Sequence, residues 1–266
     1  MGLRLLRTGS AVVLCCLALA VDSSLAEELT PKELMRRVNR ANRTNDARRE
    51  LTMTLVSNKG SERKRKVVTW RKKLSEELDK TLVRFLSPGD IAGTGLLTIE
   101  KEGMDDDQWL YLPALKKTRR ISAADRTDSF MGTDFTYEDM SPLKLEEYDY
   151  KDKGTEKIEE VVCRVIEMIP STDKRRREGG YARTVSWVDP RQLVARRVDF
   201  YDLQNVLSKT LTLAKINKHG DVYMADQMEM TTLKTGHVTT LLYEKTELDV
   251  GLEDDLFTER ELMRGR

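Results

Sequence analysis

The chain has 266 residues, 34% of them charged, with 46 basic and 45 acidic side chains. This balance argues against a general nucleic-acid-binding protein, which would carry a clear basic excess. A chain of this length can bury a substantial core, as one large all-β domain or two small ones.

Residues 1–26 have the three parts of a secretory signal peptide. Arg4 and Arg7 form a positive region, and an apolar run of residues 11–21 follows. Ser24-Leu25-Ala26 supplies a small-residue cleavage site. The apolar run is shorter than the ~18 residues that a membrane-spanning helix needs. We therefore predict cleavage after Ala26, export to the periplasm, and a mature single domain of residues 27–266.

Cysteine usage gives no disulfide framework. Cys15 and Cys16 lie in the apolar run and leave with the signal, and Leu14 before them argues against a lipoprotein anchor, which prefers a small residue there. Only Cys163 remains, inside an apolar run of residues 161–169. One cysteine forms no internal bridge, so we interpret it as a small buried hydrophobe.

The mature chain opens with a helix signal. Thr30-Pro31-Lys32-Glu33 combines an N-cap, a proline at the first helical position and a capping-box glutamate. Leu34, Val38 and Ala41 then recur at helical spacing. The opposite face is rich in Arg and Lys, which predicts a helix lying on another element.

From Leu51 onwards the apolar pattern has period two. Runs of this kind recur to residue 245, separated by turn signals such as Asn58-Lys59-Gly60, Asp189-Pro190 and His219-Gly220-Asp221. About eleven strands in close succession predict an antiparallel meander. A sheet of that size must curl to hide one face. We therefore expect a mainly β fold, an open half-barrel whose concave face is covered by the N-terminal helix and a loop.

That loop is the stretch between Pro113 and Pro142, which shows no strand signal. A compact domain seldom keeps so long an irregular segment without a use for it. Its apolar residues are either a flap over an apolar cavity or part of the core. The members are Phe130, Met131, Phe135, Tyr137 and Met140. The sheet adds large side chains that would line such a cavity, namely Trp70, Phe85, Trp109 and Tyr111.

Signals for an enzyme are scarce. His219 and His237 stand alone near turns and are interpreted as surface residues. Nucleophile elbows, phosphate-binding loops and metal-spaced His/Cys clusters are missing from the sequence. We expect no enzyme activity, no catalytic residue, no metal and no cofactor, although a glycosidase-type carboxylate pair cannot be selected or rejected among so many acids.

Charged clusters have two interpretations each. The acidic residues near the loop could hold a cation, but the preferred interpretation is solvated turns. They are Asp105, Asp106, Asp107, Asp125, Asp128, Asp134, Glu138 and Asp139. The basic runs of residues 116–120 and 174–177 could meet anionic headgroups or an acidic partner, and solvated tips are again preferred.

Three strings carry a family resemblance: Trp109-Leu110-Tyr111-Leu112-Pro113, Lys117-Thr118-Arg119-Arg120-Ile121, and the run from Ser129 to Met140, SFMGTDFTYEDM. Together they resemble the LolA-like outer-membrane lipoprotein-sorting proteins, in the branch found beside exporters of the resistance-nodulation-division type. The resemblance covers nearly the whole mature chain.

The resemblance implies an open half-barrel that binds acyl chains on its concave face. The motifs place Trp109, Tyr111, Phe130, Met131, Phe135 and Tyr137 at the cavity wall or flap. It implies a periplasmic carrier for lipid or lipoprotein acyl chains, acting with an inner-membrane exporter or acceptor protein. The alternative is a regulatory or accessory protein of the same fold that contacts a protein partner without ferrying cargo. We expect a monomer that binds no nucleic acid and allows transient membrane contact.

Overall fold

The computed structural model describes residues 29–41 and 43–265. The predicted signal peptide, with Cys15 and Cys16, lies outside these residues. Helix α1, Pro31–Ala41, begins where the sequence predicts, and the Thr30 hydroxyl accepts the N–H of Glu33 at 3.2 Å. Two short helices follow, α2 at Asp173–Gly179 and α3 at Glu259–Arg264. Within the described ranges, none of the helices has the length and apolar character needed to cross a membrane.

Thirteen strands form one antiparallel sheet. The strands are β1 Asp46–Val56, β2 Glu62–Lys73, β3 Asp79–Ser87, β4 Gly95–Ile99, β5 Asp107–Leu112, β6 Lys117–Arg120, β7 Tyr148–Ile158, β8 Val161–Pro170, β9 Tyr181–Asp189, β10 Val194–Asp202, β11 Leu207–His219, β12 Val222–Thr232 and β13 His237–Leu248. Two meanders, β1 to β6 and β7 to β13, join where β1 pairs with β13. The sheet stays open, with β6 and β7 as its edges, so the predicted mainly β open fold is confirmed.

One strand lies where the sequence shows no strand signal. Strand β6 pairs with β5 from Trp109–Arg120 to Leu112–Lys117. The expectation that residues 113–142 form no strand is therefore wrong at this point, and the sheet has thirteen strands where we expect about eleven. Residues Lys117–Arg120 carry no apolar alternation because β6 is a short edge strand. Charged side chains on such an edge discourage pairing with another chain.

The two faces of the sheet have different coverings, and we call them the inner and outer face. The inner face presents Leu51, Met53, Val83 and Phe85 and is covered by α1 and by the segment of residues 121–147. This segment bonds to β12, β13, β9 and β11, while its Phe130 packs on β3. Phe130 and Asp139 are only nine residues apart in this segment, yet they contact β3 and β9, which lie seven strand spacings apart in the sheet. A folded loop spans that distance because the sheet curls around it. The inner face is therefore concave.

The outer face is covered locally by the C-terminal segment of residues 249–265. Phe257 and Leu262 are buried against Leu82, Leu97 and Tyr111. The buried Arg84 guanidinium donates to the backbone carbonyl of Glu261 at 3.0 Å. At the start of this segment, the Asp46 carboxylate accepts three consecutive backbone N–H groups, those of residues 250–252, at 2.7 to 3.0 Å. Because Asp46 lies on β1, this contact fixes the point where the segment leaves β13.

Candidate ligand-binding site

The centre of the long loop packs into the inner core. Phe130 is 0% exposed, and its ring lies 5.7 Å from the rings of both Phe85 and Tyr137. The next residue, Met131, has a φ of 52°, in the left-handed region, and its carbonyl accepts Nη1 of Arg65 at 2.8 Å. The tight turn points Phe130 into the core. In this conformation the loop therefore fills the space next to β3.

Asp134 ties the same loop to the middle of the sheet. Its carboxylate accepts the Thr232 hydroxyl at 2.5 Å, the Thr239 hydroxyl at 2.6 Å and Nδ1–H of His237 at 2.6 Å. Its backbone N–H donates to the Thr239 hydroxyl oxygen at 3.0 Å. Asp134 is 5% exposed. The three donors therefore supply the hydrogen bonds that the carboxylate loses when burial removes it from water. We call this set of contacts the Asp134 latch.

The adjacent residues Glu138 and Asp139 make further ties to the other half of the sheet. The Asp139 carboxylate accepts the Tyr181 hydroxyl at 2.9 Å and pairs with Nζ of Lys209 at 3.3 Å. Burial, and then the neighbouring Asp139 charge, raise the pKa of Tyr181 well above its ordinary value. Glu138 forms an ion pair with Arg175 of α2. The loop is thus held from β9 to β13 as well as at β3.

The interpretation of the acidic residues as solvated turns is wrong for most of them. Asp106, Asp107 and Asp134 are at most 9% exposed, and the side chains of Glu138 and Asp139 are 10% and 5% exposed. Each has a specific donor or cation, because the curl of the sheet brings partners that are distant in sequence. Asp105 and Asp128 are exposed, as expected. In residues 29–41 and 43–265, His, Cys, Asp and Glu form no group of three or more able to hold a metal ion.

A second apolar cluster covers the inner face near β7. Leu34 and Met35 of α1 pack on Ile166, Met168 and Val188, all buried. Lys32 and Arg36, on the same helix, form ion pairs with Glu146 at 2.6 and 3.2 Å. These pairs join the helix to the end of the segment of residues 121–147. The inner face is therefore covered at both sides, by Phe130 near β3 and by α1 near β8.

Between these two clusters, the inner face of β10 to β13 is less well covered. Its apolar side chains are neither buried nor fully exposed: Val198, Leu211, Leu213, Met228, Leu241 and Tyr243. The strand register aligns them in rows, with Leu213 beside Met228, Met228 beside Leu241, and Leu241 beside Met53. We call this set the half-buried row. A contiguous partly exposed apolar surface of this kind is a feature of binding sites.

One end of the half-buried row carries a polar group of contacts. The Arg49 guanidinium lies 3.5 Å from the centre of the Tyr243 ring and pairs with the Asp226 carboxylate at 3.3 Å. Nε2 of His219 lies 2.9 Å from the same carboxylate. Burial lowers the pKa of Arg49, and the nearby Tyr243 and Asp226 oppose this effect. This charged cluster sets a polar limit to the apolar surface.

A cavity of about 340 Å³ lies beside the loop, between it and strands β9, β11 and β12. Its wall includes Phe135, Tyr181, Lys209 and Thr232. It also includes Gly180, whose φ of 75° and close approach to Thr127 leave no space for a Cβ atom. The Asp134 latch and the Asp139 contacts form its floor on the loop side. Movement of the loop away from β9, β11 and β12 would therefore enlarge this cavity.

The structure divides the sequence-predicted site residues between the two faces. Phe85, Phe130, Met131 and Tyr137 come together in the inner core. Phe135 lines the cavity, and its carbonyl accepts the N–H of Phe130 at 2.8 Å. By contrast, Tyr111 belongs to the outer-face cluster of Phe257 and Leu262, and Trp70 and Trp109 pack against that cluster. The two groups do not share one pocket, because Trp109 and Tyr111 alternate with Leu110, which points to the inner core.

Sequence reasoning missed the half-buried row and misplaced two histidines. Leu211 and Leu213, and Met228 and Met230, alternate with polar residues, and that signal could have nominated one face of these strands. In β13 the apolar Leu242 lies between Leu241 and Tyr243 and interrupts the alternation. His219 and His237 do lie at strand ends, but their side chains are only 23% and 21% exposed and contact Asp226 and Asp134. Cys163 is buried and free, as expected.

Comparisons with known proteins agree with this architecture. A protein-family model, described only as that of an uncharacterized protein, matches residues 77–264. A DUF1329 family protein from Desulfovibrio piger is 30% identical, with a TM-score of 0.83 over 87% of this chain and 97% of that one. A candidate outer membrane lipoprotein-sorting protein domain from Vibrio parahaemolyticus is 32% identical, with a TM-score of 0.82 over 88% and 98%.

A third solved structure is more distant. A LolA superfamily protein from Nitrosomonas europaea is 16% identical, with a TM-score of 0.69 over 88% of this chain and 99% of that one. At this identity the similarity establishes the shared fold. A search of the curated proteins gave no match.

Proposed function

This chain belongs to the DUF1329 family and is 32% identical to a candidate outer membrane lipoprotein-sorting protein domain, and we propose that it is a periplasmic carrier of lipid acyl chains. The observation that carries the proposal is the half-buried row on the concave face. The row lies between two covers, the long loop and α1. An acyl chain placed along it would contact apolar side chains on several neighbouring strands.

The energetics favour such a ligand. Burying an acyl chain contributes ~0.8 kcal/mol per methylene group, so even part of a chain gives useful affinity. Methionine side chains such as Met228 adapt to ligands of different shape. The polar cluster of Arg49, Asp226 and His219 at one end of the row suits a headgroup, whose charge or hydrogen bonds would remain outside the apolar surface.

Loading requires the long loop to move. Phe130 fills the inner core in the present conformation, and the Asp134 latch holds the loop over the sheet. A carrier without its own energy source needs a partner to shift this equilibrium. We propose an inner-membrane exporter or an acceptor protein for that role, and a lipid or a lipoprotein acyl chain as the cargo.

Native mass spectrometry of the protein purified from a bacterial periplasm, followed by lipid extraction, tests the proposal. We expect a bound acyl species that is released on denaturation. The same spectrum reports whether the signal peptide is removed after Ala26, because the mass of the mature chain is fixed by that cleavage. A ligand-free mass that stays unchanged after incubation with mixed lipids would contradict the carrier function.

The second candidate is an accessory protein that contacts a protein partner without ferrying cargo. The complete burial of Phe130 against Phe85 and Tyr137 favours it, because a filled inner core leaves no empty cavity there. The two candidates differ in a measurable way. The carrier must exchange a lipid with acceptor vesicles, whereas the accessory protein does not.

A further inference from the structure

The turns at the two ends of the sheet have opposite charge. In an antiparallel meander every second connection lies at the same end, and pairs such as Val56 with Val238 and Lys209 with Thr232 fix which connections those are. The basic end has the connections of residues 57–61, 88–94, 113–116, 171–180, 203–206 and 233–236. The acidic end has those of residues 74–78, 100–106, 159–160, 190–193 and 220–221.

The charge difference between these ends is large. Connections at the basic end contain seven basic and three acidic residues, while those at the acidic end contain two basic and nine acidic residues. The total composition hides this segregation, because basic and acidic residues are nearly equal in number over the whole chain. Only the strand order sorts the turns into two groups.

Exposed apolar side chains accompany the cations at the basic end. Leu203 and Val206, in the turn between β10 and β11, are 37% and 59% exposed, and Leu233, in the turn between β12 and β13, is 47% exposed. Leu115, between β5 and β6, is 62% exposed. Each is a large hydrophobe at the tip of a turn. The acidic end also exposes Leu74 and Met104, 50% and 63% respectively. The exposed charges in their connections are negative: Glu76, Glu77, Glu102 and Asp105.

Hydrogen bonds join part of the basic end into one surface. Nη2 of Arg176 donates to the carbonyl of Leu203 at 2.8 Å, which connects α2 to the turn between β10 and β11. The N–H of Leu233 donates to the carbonyl of Ser208 at 2.9 Å, which connects the next turn. We call this surface the basic rim. It consists of the exposed residues Lys174, Arg177, Leu203, Val206, Leu233 and Lys234.

We propose that the basic rim docks on the surface of an anionic lipid bilayer. Lysine and arginine side chains are attracted to anionic headgroups, and leucine or valine at a turn tip can enter the boundary between headgroups and acyl chains. An acidic protein or a nucleic acid would use the cations without requiring apolar tips. The acidic end is repelled from the same surface, so the strands stand with the basic rim towards the bilayer.

This orientation places the cavity next to the bilayer. The wall of that cavity includes Gly179, Gly180, Ser208 and Thr232, which adjoin α2 and the two turns of the basic rim. A lipid leaving the bilayer at this point would meet the cavity before it meets bulk water. The docking itself does not depend on an acyl chain being held by the half-buried row, so the two proposals fail separately.

Vesicle flotation with the exported protein tests the docking. One set of vesicles contains phosphatidylglycerol and phosphatidylethanolamine, and the other contains phosphatidylcholine alone. We expect binding to the anionic vesicles only, with a loss of at least about tenfold when the salt is raised from about 0.1 M to about 0.5 M, because surface attraction is screened. Binding equal for both vesicle types, or absent from both, would overturn the proposal.

Two variants of the basic rim test separately the contributions of its charged and its apolar side chains. Lys174→Glu/Arg177→Glu/Lys234→Glu should lower binding to anionic vesicles by at least about tenfold, since three attractive charges become repulsive. Leu203→Ser/Val206→Ser/Leu233→Ser should lower it by several-fold and leave the salt dependence in place. A matched control, Lys151→Glu/Lys153→Glu/Lys157→Glu, makes the same change of charge on exposed residues of the edge strand β7.

The control decides between docking and general attraction. We expect it to bind nearly as well as the unaltered protein. Equal losses in the control and the rim charge variant would show that only net charge matters and would overturn the docking surface. The circular dichroism spectrum and the urea midpoint of unfolding should stay unchanged in all three variants, which shows that each remains folded.

Discussion

Nδ1–H of His237 donates to the carboxylate of Asp134 at 2.6 Å, although the two residues lie 103 positions apart in the sequence. Asp134 belongs to the loop inside the half-barrel, and His237 is the first residue of β13. Their hydrogen bond therefore holds the loop in its closed position over the sheet. Thr232 and Thr239 donate to the same carboxylate. Opening the loop would therefore break several hydrogen bonds at once and leave their donors without this acceptor.

Asp134→Asn should open the loop. The amide NH₂ would face donors that now approach a carboxylate, so we expect the free energy of unfolding to fall by roughly 2–4 kcal/mol. Hydrogen–deuterium exchange should become faster at residues 129–140. Asp128→Asn is the matched control, since Asp128 is exposed in the same loop. Exchange in this loop that matches the unaltered protein would show that the latch does not hold it.

Phe130→Ala should cost about 3–5 kcal/mol of stability, the usual range for removing a buried aromatic ring. The variant loses the contacts with Phe85 and Tyr137 and leaves a cavity next to β3. Urea titration measures the loss. Leu115→Ala, at an apolar residue that is 62% exposed, should change stability by less than about 0.5 kcal/mol. A loss below about 1 kcal/mol for Phe130→Ala would indicate that the loop packs loosely in solution.

Leu213→Asp should weaken binding of a fluorescent fatty-acid probe. Leu213 belongs to the half-buried row, and a charge there would have to be desolvated against the acyl chain. Thr212→Asp is the control, because the adjacent side chain points to the outer face and is exposed. We expect at least a tenfold rise in the dissociation constant for Leu213→Asp alone, or about 1.4 kcal/mol. Equal affinities in the two variants would remove the half-buried row from the binding site.

Glu100 should make stability depend on pH. Burial, and then the neighbouring Asp79 carboxylate, raise its pKa to about 7 from an ordinary value of 4.5. A carboxyl whose pKa is raised on folding destabilises the fold once it ionises, so the cost grows from about pH 4.5 to about pH 7 and remains above that range. It amounts to at most about 3 kcal/mol.

Glu100→Gln removes this cost while keeping an oxygen that can accept the Asp79 N–H, now bonded at 3.0 Å. The variant should gain stability relative to the unaltered protein at pH 8 and show little difference at pH 5. Urea titrations at both values measure this. Glu102→Gln, at an exposed position, is the control and should show no such difference. A gain of the same size at pH 5 and pH 8 would rule out ionisation of Glu100 as the cause.

Most of the secondary-structure elements and the class of fold can be predicted from the amino-acid sequence. Helix α1 follows from Thr30, Pro31 and the helical spacing of Leu34 and Val38, which are local signals. Most of the thirteen strands follow from period-two alternation, because one face of such a strand packs on the core or the covers. One exception is β6, a short edge strand whose side chains are charged or polar, so its sequence has no apolar alternation. The three strings of residues 109–113, 117–121 and 129–140 together also indicate the family.

The residues that share a site cannot be predicted from local patterns, because they are brought together by the folding of the sheet. Alternation shows that Trp109 and Leu110 point in opposite directions, but it does not show that Phe130 lies on the side of Leu110. The burial of Asp134 and Asp139, and the segregation of basic and acidic turns, depend on the curl and the order of the strands. These are contacts between residues far apart in sequence, and no local propensity encodes them.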